Sequence, residues 1–567
     1  MRQKSLLGLT IVSILGLAIV GRLSVWLFGR AVDDGILKND SEMIVRIAIA
    51  YLVMEVVSAL AGFGHMFFFA KLGNRILYDL RSQLISHVQS LPISFFDKNP
   101  TGRIVTRITN DVVSLGELFT QGIIMVFSNF ISMVVTIIAM LLISVKMTLV
   151  TMLIAPPLIY FSFKISEKIL LILRESKKTS ARMNSFIAES VSGMRVLQLF
   201  ERTSYNRKKF GDLSAQYREE QMGAVRLYAL LWPTVSFFNA ASIAVALYYG
   251  GIVTREGAVT TGAMIAFLLH VRDFITPLRV ILEKYQNFQN SLAGAERIFT
   301  LLDEIPEDSH GRAIDPSRAK GAIEFKALSF KYGKILPWVL NEVSFKANPG
   351  QSIALVGRTG SGKSTLISLM QRFYDYQEGD VLLDGVSLRE ISRAELRRRV
   401  GVVQQDTFMF RGTVADNIGL GDPSITRAQI ERAAVRASCA DLLRRHVGGL
   451  DAKVEERGAN LSFGERQLIA FARVLAFDPD ILILDEATAN IDSQSEQLIQ
   501  KATREITKGR TSIIIAHRIS TILDCDQILV LDNGKLIEKG THSELMAKGG
   551  HYYRLSASQF GLSTDLT

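Results

Sequence analysis

The sequence predicts a membrane α-helical bundle of six transmembrane helices that extend into the cytosol, fused to an α/β domain with a phosphate-binding loop. Three observations lead to this fold class. The 567 residues are too many for one hydrophobic core. Long apolar runs dominate residues 1–300, whereas short apolar strands alternate with charged and glycine-containing segments beyond residue 320. We therefore expect a transmembrane domain over 1–300, a linker over 301–320 and a second domain over 321–567.

Six segments of the first domain are candidates for membrane-spanning helices. A helix that crosses a bilayer needs about 20 mostly apolar residues. The segments that meet this requirement are 6–29, 44–70, 115–144, 147–170, 224–252 and 260–283. The links after the first, third and fifth segments are short, and those after the second and fourth are long.

The charges of the links predict the orientation of the chain in the membrane. Lys and Arg are abundant in both long links, whereas the first short link carries mostly acids: Asp33, Asp34, Asp40 and Glu42 against Lys38. Because positively charged links remain on the cytoplasmic side, we expect the long links and both termini in the cytosol. The protein would then be a multi-pass protein of the plasma membrane, the inner membrane of a bacterium. The same basic residues account for the net charge of +10, so nucleic-acid binding is not expected.

The N-terminus and the two cysteines further limit the possible targeting and metal binding of the chain. Arg2 and Lys4 lead directly into an apolar segment, which favours a signal anchor or first spanning helix over a removed signal peptide. Cys439 and Cys525 match no metal-binding spacing and are expected to be reduced cytosolic thiols.

The long links keep the apolar spacing of helices, so the spanning helices are expected to continue beyond the bilayer. Each link then needs a turn near its middle. In the first link we place the turn at Phe95–Arg103, because a helix does not run easily through Pro100 and Gly102. In the second link we place it at Asn184–Glu189.

Six polar side chains interrupt the apolar segments: Arg22, Glu55, His65, Arg226, Arg272 and Asp273. A charge at membrane depth is costly unless it faces protein or water. These residues therefore either line a polar cavity or pair with one another and reach towards the interface. Arg272 and Asp273 are the best candidates for a cavity.

The first chemical motif of the second domain is a phosphate-binding loop. An apolar strand over 352–356 is followed by a full GxxxxGK[ST] match and then by a helix. The glycines let backbone N–H groups surround phosphate oxygens, and the N-terminus of the helix adds its positive end. Lys363 would reach the β- and γ-phosphates, and the Ser364 hydroxyl would bind Mg²⁺. The residues assigned to phosphate binding are Gly357, Arg358, Thr359, Gly360, Ser361, Gly362, Lys363, Ser364 and Thr365.

Polar residues also follow two later strands. The apolar run 481–484 ends in Asp485 and Glu486, and the run 512–516 ends in His517. Ligands of α/β proteins bind at the carboxyl ends of the strands. Asp485 would hold Mg²⁺, Glu486 would polarise the attacking water and His517 would contact the γ-phosphate. These roles describe an α/β P-loop ATPase domain with ATP and Mg²⁺ as cofactors.

Further motifs resemble those of the ATP-binding cassette (ABC) transporters. Leu461–Glu465 is similar to the LSGGQ signature, Gln405 to the Q-loop, and Val454–Gly458 to the X-loop of exporters. Ala489–Asp492 matches the position of the D-loop, and Tyr332 matches the aromatic residue that stacks on adenine. The resemblance covers nearly the whole chain. It implies that Gln405 serves Mg²⁺ and catalysis, and that Ser462 and Gly464 face a phosphate.

The resemblance also implies a function and a partner. The chain is expected to be one half of an ATP-driven exporter, in which two chains clamp each ATP between a phosphate loop and a signature. Closure of the clamp would turn a membrane cavity outward by alternating access. The turns of the long links would be coupling helices. The expected substrate is hydrophobic or amphipathic (a drug, lipid or peptide) and is not identified further. An ATP-gated channel or regulatory membrane protein on the same fold stays open as the alternative.

The signature departs from the family pattern at two positions. Phe463 stands where the family has Gly, and Glu465 stands where it has Gln. A bulky ring and a negative charge near a γ-phosphate would weaken that ATP site, whereas the residues Glu486 and His517 for the other site are intact. One competent and one impaired site would suit a heterodimer better than a homodimer, although both assemblies stay open.

Overall fold

The two halves of the chain form separate units in the computed structural model. The structure describes residues 2–118, 124–308, 310–311, 313, 320–439, 443–444, 446–485, 493–516 and 519–560. One unit contains Met1–Ser90 and Asn99–Ile305, and the other contains Leu91–Lys98 and Pro306–Thr567. The division after Ile305 falls inside the linker expected over 301–320.

Helices build the first unit, and one short helix of its first long link belongs to the second unit. Their bounds are α1 Arg2–Arg30, α2 Ser41–Gln89, α3 Ile93–Lys98, α4 Thr101–Thr106, α5 Val112–Glu117, α6 Ile124–Ile143, α7 Val145–Met152, α8 Ala155–Ser192, α9 Met194–Leu199, α10 Thr203–Arg255 and α11 Thr261–Leu302. Three long or apolar helices begin at a polar cap: the side chains of Asp40, Ser144 and Thr260 accept hydrogen bonds from the first turns of α2, α7 and α11.

Five helical stretches of the described chain are long and apolar enough to cross a membrane. They are Ser5–Ile36, Ser41–Gln89, Met125–Ile143, Val145–Ser192 and Thr203–Arg255. These overlap five of the six predicted segments. The sixth predicted segment, 260–283, lies in α11, some of whose side chains fall outside those that the structure describes.

The long helices confirm the predicted extension beyond a bilayer. α2 has 49 residues, α8 has 38 and α10 has 53. A membrane needs only about 20 residues of helix. At about 1.5 Å per residue, the remaining turns of each helix reach well outside the hydrocarbon layer.

The first predicted turn is confirmed. α2 ends at Gln89, α3 ends at Lys98, and α4 begins after Pro100, which occupies its N-cap position. The chain then folds back on α2, because a Cβ added to Gly116 would lie 2.6 Å from a methyl carbon of Leu77.

The second predicted turn, at Asn184–Glu189, is wrong. α8 continues through these residues to Ser192, because they include neither Pro nor Gly and nothing in them interrupts the hydrogen bonds of a helix. The chain reverses between Gly193 and Arg202 instead, around the short helix α9. α10 then runs back along α8, with Asn206 hydrogen-bonded to Ser190 at 3.0 Å.

The second unit contains a parallel and an antiparallel sheet. Its strands are β1 Ile323–Phe330, β2 Leu340–Ala347, β3 Ser352–Val356, β4 Glu378–Leu383, β5 Val386–Ser387, β6 Val400–Val403, β7 Gly412–Thr413, β8 Lys453–Val454, β9 Ile481–Asp485, β10 Thr511–Ile515, β11 Gln527–Asp532 and β12 Lys535–Gly540. The larger sheet has the order β12-β11-β3-β10-β9-β6, in which β12 alone is antiparallel to its neighbour. The order of the antiparallel sheet is β2-β1-β4-β5.

Helices cover this larger sheet. They are α12 Lys363–Met370, α13 Arg393–Arg399, α14 Val414–Gly419, α15 Arg427–Arg436, α16 Phe463–Phe477, α17 Ser493–Thr507, α18 Ile519–Leu523, α19 His542–Ala547 and α20 His551–Phe560. The central strand β10 is buried along its whole length, as are the apolar residues of β3 and β9. A strand that is buried on both faces reads as a continuous apolar run, which is why these strands were recognisable in the sequence.

Two glycines bring α1 and α11 into close contact in the membrane unit. A Cβ placed on Gly262 would lie 2.0 Å from the carbonyl oxygen of Gly29. The Asp33 carboxylate reinforces this crossing, because its Oδ1 accepts a hydrogen bond from the Gly262 N–H at 2.7 Å. Deeper in the unit, Arg22 of α1 forms an ion pair with Asp273 of α11.

We expect Gly262→Ala to push α1 and α11 apart. The clash should lower the free energy of unfolding by about 1–3 kcal/mol, seen as a lower midpoint in thermal unfolding of the detergent-solubilised chain followed by circular dichroism. Gly251→Ala is the matched control, because a Cβ there meets no atom within 4 Å. An unchanged midpoint for Gly262→Ala would contradict the tight crossing.

Candidate functional site

The loop between β3 and α12 has a shape that glycine alone permits. Gly360 and Gly362 have φ values of +83° and +106°, which lie in the left-handed region. At Gly357 an added Cβ would lie 2.2 Å from the carbonyl oxygen of Leu531 on β11. The loop therefore holds its backbone close to the sheet and leads directly into the N-terminus of α12.

The Lys363 side chain lies beneath this loop. It is 8% exposed, and its Nζ donates to the carbonyl oxygens of Gly357 at 2.7 Å and Arg358 at 2.9 Å. Burial lowers the pKa of Lys363, whereas the nearby Asp485 carboxylate acts in the opposite direction. The Lys363 ammonium group therefore lies at the phosphate loop, near the Asp485 carboxylate at the end of β9.

The strand register brings the predicted metal ligands to one edge of the sheet. Ile515 of β10 lies opposite both Leu355 of β3 and Asp485 of β9, so the three strands end together. Val403 of β6 lies opposite Leu484, and Gln405 follows two residues later. Ser364 occupies the first turn of α12, next to the loop.

These donors fit Mg²⁺ and not a metal held by protein alone. Among the residues described, no group of three or more His, Cys, Asp or Glu could hold a metal ion. Ser364, Gln405 and Asp485 offer three oxygen donors. Mg²⁺ commonly takes one or two carboxylates and completes its shell with water and substrate phosphates. The donor set therefore suits a metal that arrives with a nucleotide.

Tyr332 lies beside the start of α12. Its hydroxyl is 3.0 Å from the Thr365 Oγ1, and its ring contacts Tyr374 edge to face, with the centroids 4.9 Å apart. The ring is partly exposed, so one face is available for stacking. The structure therefore brings the predicted adenine-stacking residue to the phosphate loop.

Three sequence predictions fall outside the described residues. They are Glu486, His517 and the D-loop match Ala489–Asp492. The described chain stops just before these residues, at Asp485, the last residue of β9, and at Ala516, which follows β10. Both lie at the edge of the sheet that carries the phosphate loop.

The signature forms the N-terminus of α16. Ser462 is the N-cap residue, and its Oγ accepts a hydrogen bond from the Glu465 N–H at 3.2 Å. The Glu465 Oε2 accepts one from the Ser462 N–H at 2.8 Å, which completes a capping box. Gly464 is buried and Phe463 is half-buried, with the Arg466 guanidinium 5.9 Å from the centre of its ring.

A histidine that the sequence reading missed also contacts the signature. His446 Nε2 lies 3.3 Å from Glu465 Oε1. Burial by itself would raise the pKa of Glu465, but the hydrogen bonds from Ser462 and His446 outweigh it and hold the pKa below its ordinary value. The Ser-x-x-Glu spacing could have predicted the capping box, whereas no local pattern pairs residues 19 positions apart.

Tyr374 is a second residue that the sequence reading missed. Its hydroxyl donates to the Asp97 carboxylate of α3, within the second unit. Burial and this hydrogen bond raise the pKa of Tyr374. Because Tyr374 also contacts Tyr332, the first predicted coupling segment is connected to the phosphate loop through two aromatic rings.

The membrane unit contains a cavity of about 810 Å³ between α1, α6 and α11. Apolar residues form most of its walls, and Trp26 adds an aromatic ring. The polar residues of the lining are Arg22, Arg30, Asp33, Asp34, Thr260 and His270. Arg22 also contacts Ser132 of α6 at 3.3 Å. A volume of this size suits a small amphipathic molecule.

The polar residues predicted inside the apolar segments have different surroundings in the structure. Arg22 lines the cavity and pairs with Asp273, so the cavity and pairing interpretations both apply to it. Arg272 is exposed and does not line this cavity of the single chain, so its role in a cavity stays a prediction. Arg226 lies 3.9 Å from Glu219, and His65 stacks on Phe69.

Comparison with family models divides the chain where the structure does. Residues 7–278 match the model described as ABC transporter transmembrane region. Residues 340–489 match the model described as ABC transporter.

Individual proteins resemble the chain over nearly its full length. It is 35% identical over 565 residues to the uncharacterized ABC transporter ATP-binding protein YknV of Bacillus subtilis (strain 168), covering 99% of this chain and 93% of that protein. It is 32% identical to the ATP-dependent lipid A-core flippase of Syntrophus aciditrophicus (strain SB), covering 94% and 88%. A bacterial Atm1-family ABC exporter with ATP bound has a similar structure, with a TM-score of 0.80, 25% identity and coverage of 98% and 99%.

Proposed function

Since this chain belongs to the ABC transporter family, we propose that it is an exporter half-subunit, which couples ATP binding and hydrolysis to outward movement of a hydrophobic or amphipathic substrate. One observation carries the proposal: the phosphate loop, Lys363 and Asp485 lie together in one unit, and the other unit holds helices apolar enough to span a membrane. We also propose that the long links and both termini of this multi-pass protein are cytoplasmic, as their charges predict.

The residues of the nucleotide site would act on different parts of ATP. Tyr332 stacks on the adenine, and the loop amides with Lys363 hold the phosphates. Ser364, Asp485 and Gln405 bind Mg²⁺, which neutralises phosphate charge. Glu486 orients and polarises the attacking water, and His517 contacts the γ-phosphate.

Coupling to transport would need a second chain. The signature of one chain closes on the ATP held by the phosphate loop of the other, with Ser462 and Gly464 facing the phosphate at the N-terminus of α16. Because the closed dimer binds ATP more tightly than the open one, binding favours closure and hydrolysis reverses it. The channel alternative receives no support from the related flippase and exporter.

The cavity between α1, α6 and α11 is proposed as part of the substrate route. Its apolar walls suit a hydrocarbon or aromatic portion, and Arg22 suits a polar head. The flippase named among the relatives acts on a lipid, which agrees with an amphipathic substrate here.

The partner is proposed to be an unequal chain. Phe463 narrows the approach to the N-terminus of α16, and Glu465 adds a carboxylate to its first turn. The site that uses this signature would then be impaired, and the site that uses Glu486 would be competent.

We expect Glu486→Gln to bind ATP but to lose nearly all turnover, because the amide cannot polarise the attacking water. The measurement compares ATP hydrolysis with equilibrium ATP binding for the assembled transporter. Glu505→Gln is the matched control, since Glu505 makes a surface pair with Arg436 at 3.4 Å. Retained hydrolysis in Glu486→Gln would contradict the assignment of the base.

We expect Ala139→Trp to abolish stimulation of ATP hydrolysis by substrates while the basal rate stays near that of the wild type. The indole would fill part of the cavity that Ala139 lines. A panel of hydrophobic drugs, phospholipids and long-chain fatty acids supplies the candidate substrates. Ala244→Trp is the control, because Ala244 is exposed on α10 and outside the cavity lining. Equal stimulation in wild type and Ala139→Trp would exclude this route.

We expect the chain purified alone to hydrolyse ATP slowly and without cooperativity. Addition of its unequal partner should restore fast turnover, because the partner supplies a signature without Phe463 and Glu465. ATPase rates of the separate and combined chains, with the mass of each assembly, test this. A stable homodimer with fast, cooperative hydrolysis would contradict the heterodimer.

A further inference from the structure

The Glu465 carboxylate reaches back to the N-cap residue of its helix and is held there. One oxygen accepts from the Ser462 N–H at 2.8 Å, and the other lies 3.3 Å from His446 Nε2. Neither side chain of the pair is well exposed, at 16% for Glu465 and 27% for His446. The acid is therefore held from two sides within the first turn of α16.

An acid at this position acts on phosphate binding in two opposite ways. The N-terminus of a helix attracts anions, and a carboxylate in the first turn takes up part of that attraction. A second anion such as a γ-phosphate would then meet a repelling charge. A hydrogen-bond donor on the second carboxylate oxygen disperses part of this charge and fixes the orientation of the carboxylate.

Nearby arginines do not take this role. Arg466 donates to the carbonyl oxygen of Leu461 at 2.7 Å and lies over the Phe463 ring, so it orders the backbone before the signature. Among the described residues, the basic side chain within 4 Å of the Glu465 carboxylate is that of His446.

We propose that His446 is a positioning residue for the signature: by donating a hydrogen bond from Nε2 to the Glu465 carboxylate and holding it in place, it keeps the N-terminus of α16 able to bind the phosphate of an ATP held by the other chain. This inference rests on the proposed function, because only an ATP sandwiched between two chains faces the signature. Every dimer that contains this chain contains this signature. In a homodimer the signature serves hydrolysis and the KM for ATP reports on it, whereas in the proposed heterodimer it faces the impaired site and the Kd for ATP is the readout.

A double-mutant cycle tests the proposal in the full-length assembled transporter. His446→Ala should raise the apparent KM for ATP (in a heterodimer, the Kd) about three- to tenfold, the range for the net contribution of one ordinary hydrogen bond, with a smaller change in kcat. Glu465→Gln should keep the wild-type KM or lower it, since the amide oxygen can still complete the capping box without a charge. His446→Ala in the Glu465→Gln background should leave the KM within about twofold of the wild type.

Isosteric variants separate positioning from bulk. In His446→Gln the amide nitrogen lies near the place of Nε2 and can donate to Glu465, so much of the affinity should return. In His446→Asn the amide nitrogen lies near the place of Nδ1 and is too short to reach, so this variant should resemble His446→Ala. It also replaces His446→Ala in the cycle if the alanine variant fails to fold. His551→Ala, at an exposed histidine of α20, is the control and should change nothing.

The outcomes distinguish the inference from the proposed function. A wild-type KM in both His446→Ala and His446→Asn, or an equal rise in KM with and without Glu465, would overturn the positioning role. If the wild-type transporter binds ATP but does not hydrolyse it, the proposed function is overturned. The same double-mutant cycle, with the Kd for ATP as the measured quantity, would then still decide the role of His446. A wild type that binds no ATP overturns both.

Discussion

The register of the parallel strands is the constraint on which the nucleotide-binding unit depends. Phosphates, Mg²⁺ and an attacking water occupy a region only a few ångströms across, so the groups that serve them must leave the sheet at one edge. The pairing of Ile515 with both Leu355 and Asp485 achieves this. If the pairing of β9 with its neighbours shifted by one residue, the Asp485 side chain would point to the opposite face of the sheet. Because β3, β9 and β10 are apolar on both faces, such a shift would cost most at the strand ends, where the polar Asp485 would be drawn into the buried part of the sheet or an apolar residue pushed out of it.

Elements whose signal is local were predictable from the sequence. The phosphate loop follows from its glycines, and the strands that end in Asp485 and at 516 follow from continuous apolar runs. The first turn follows from Pro100. The second turn was misplaced because Gly193 and the α9 segment that make the real turn lie within an apolar pattern that still predicts a helix. The pair of His446 with Glu465 depends on how α16 packs, which no local pattern encodes.

The membrane unit shows why neighbours in sequence are poor guides to neighbours in space. Arg272 and Asp273 were selected together, but successive residues of a helix point about 100° apart. The two side chains therefore leave the helix in different directions. Asp273 is directed at α1 and meets Arg22, whereas Arg272 is exposed. The pairing also explains how Arg22 is tolerated at membrane depth: its charge is balanced by a partner on another helix, while the rest of its side chain borders the cavity.

The two departures in the signature have different physical consequences. Glu465 replaces an amide that could also close the capping box, and its added charge is held by Ser462 and His446. Under the proposed role of His446, these hydrogen bonds disperse part of the charge and so reduce the repulsion expected from the sequence. Phe463 has no such compensation for its bulk: it is half-buried beside the N-cap residue, where the family has no side chain. Any impairment of this ATP site should then arise mainly from crowding by the ring. A different partner chain could accommodate the Phe463 ring if its phosphate loop left space opposite that ring. A second copy of this chain could do so only if the phosphate loop of this chain left the same space.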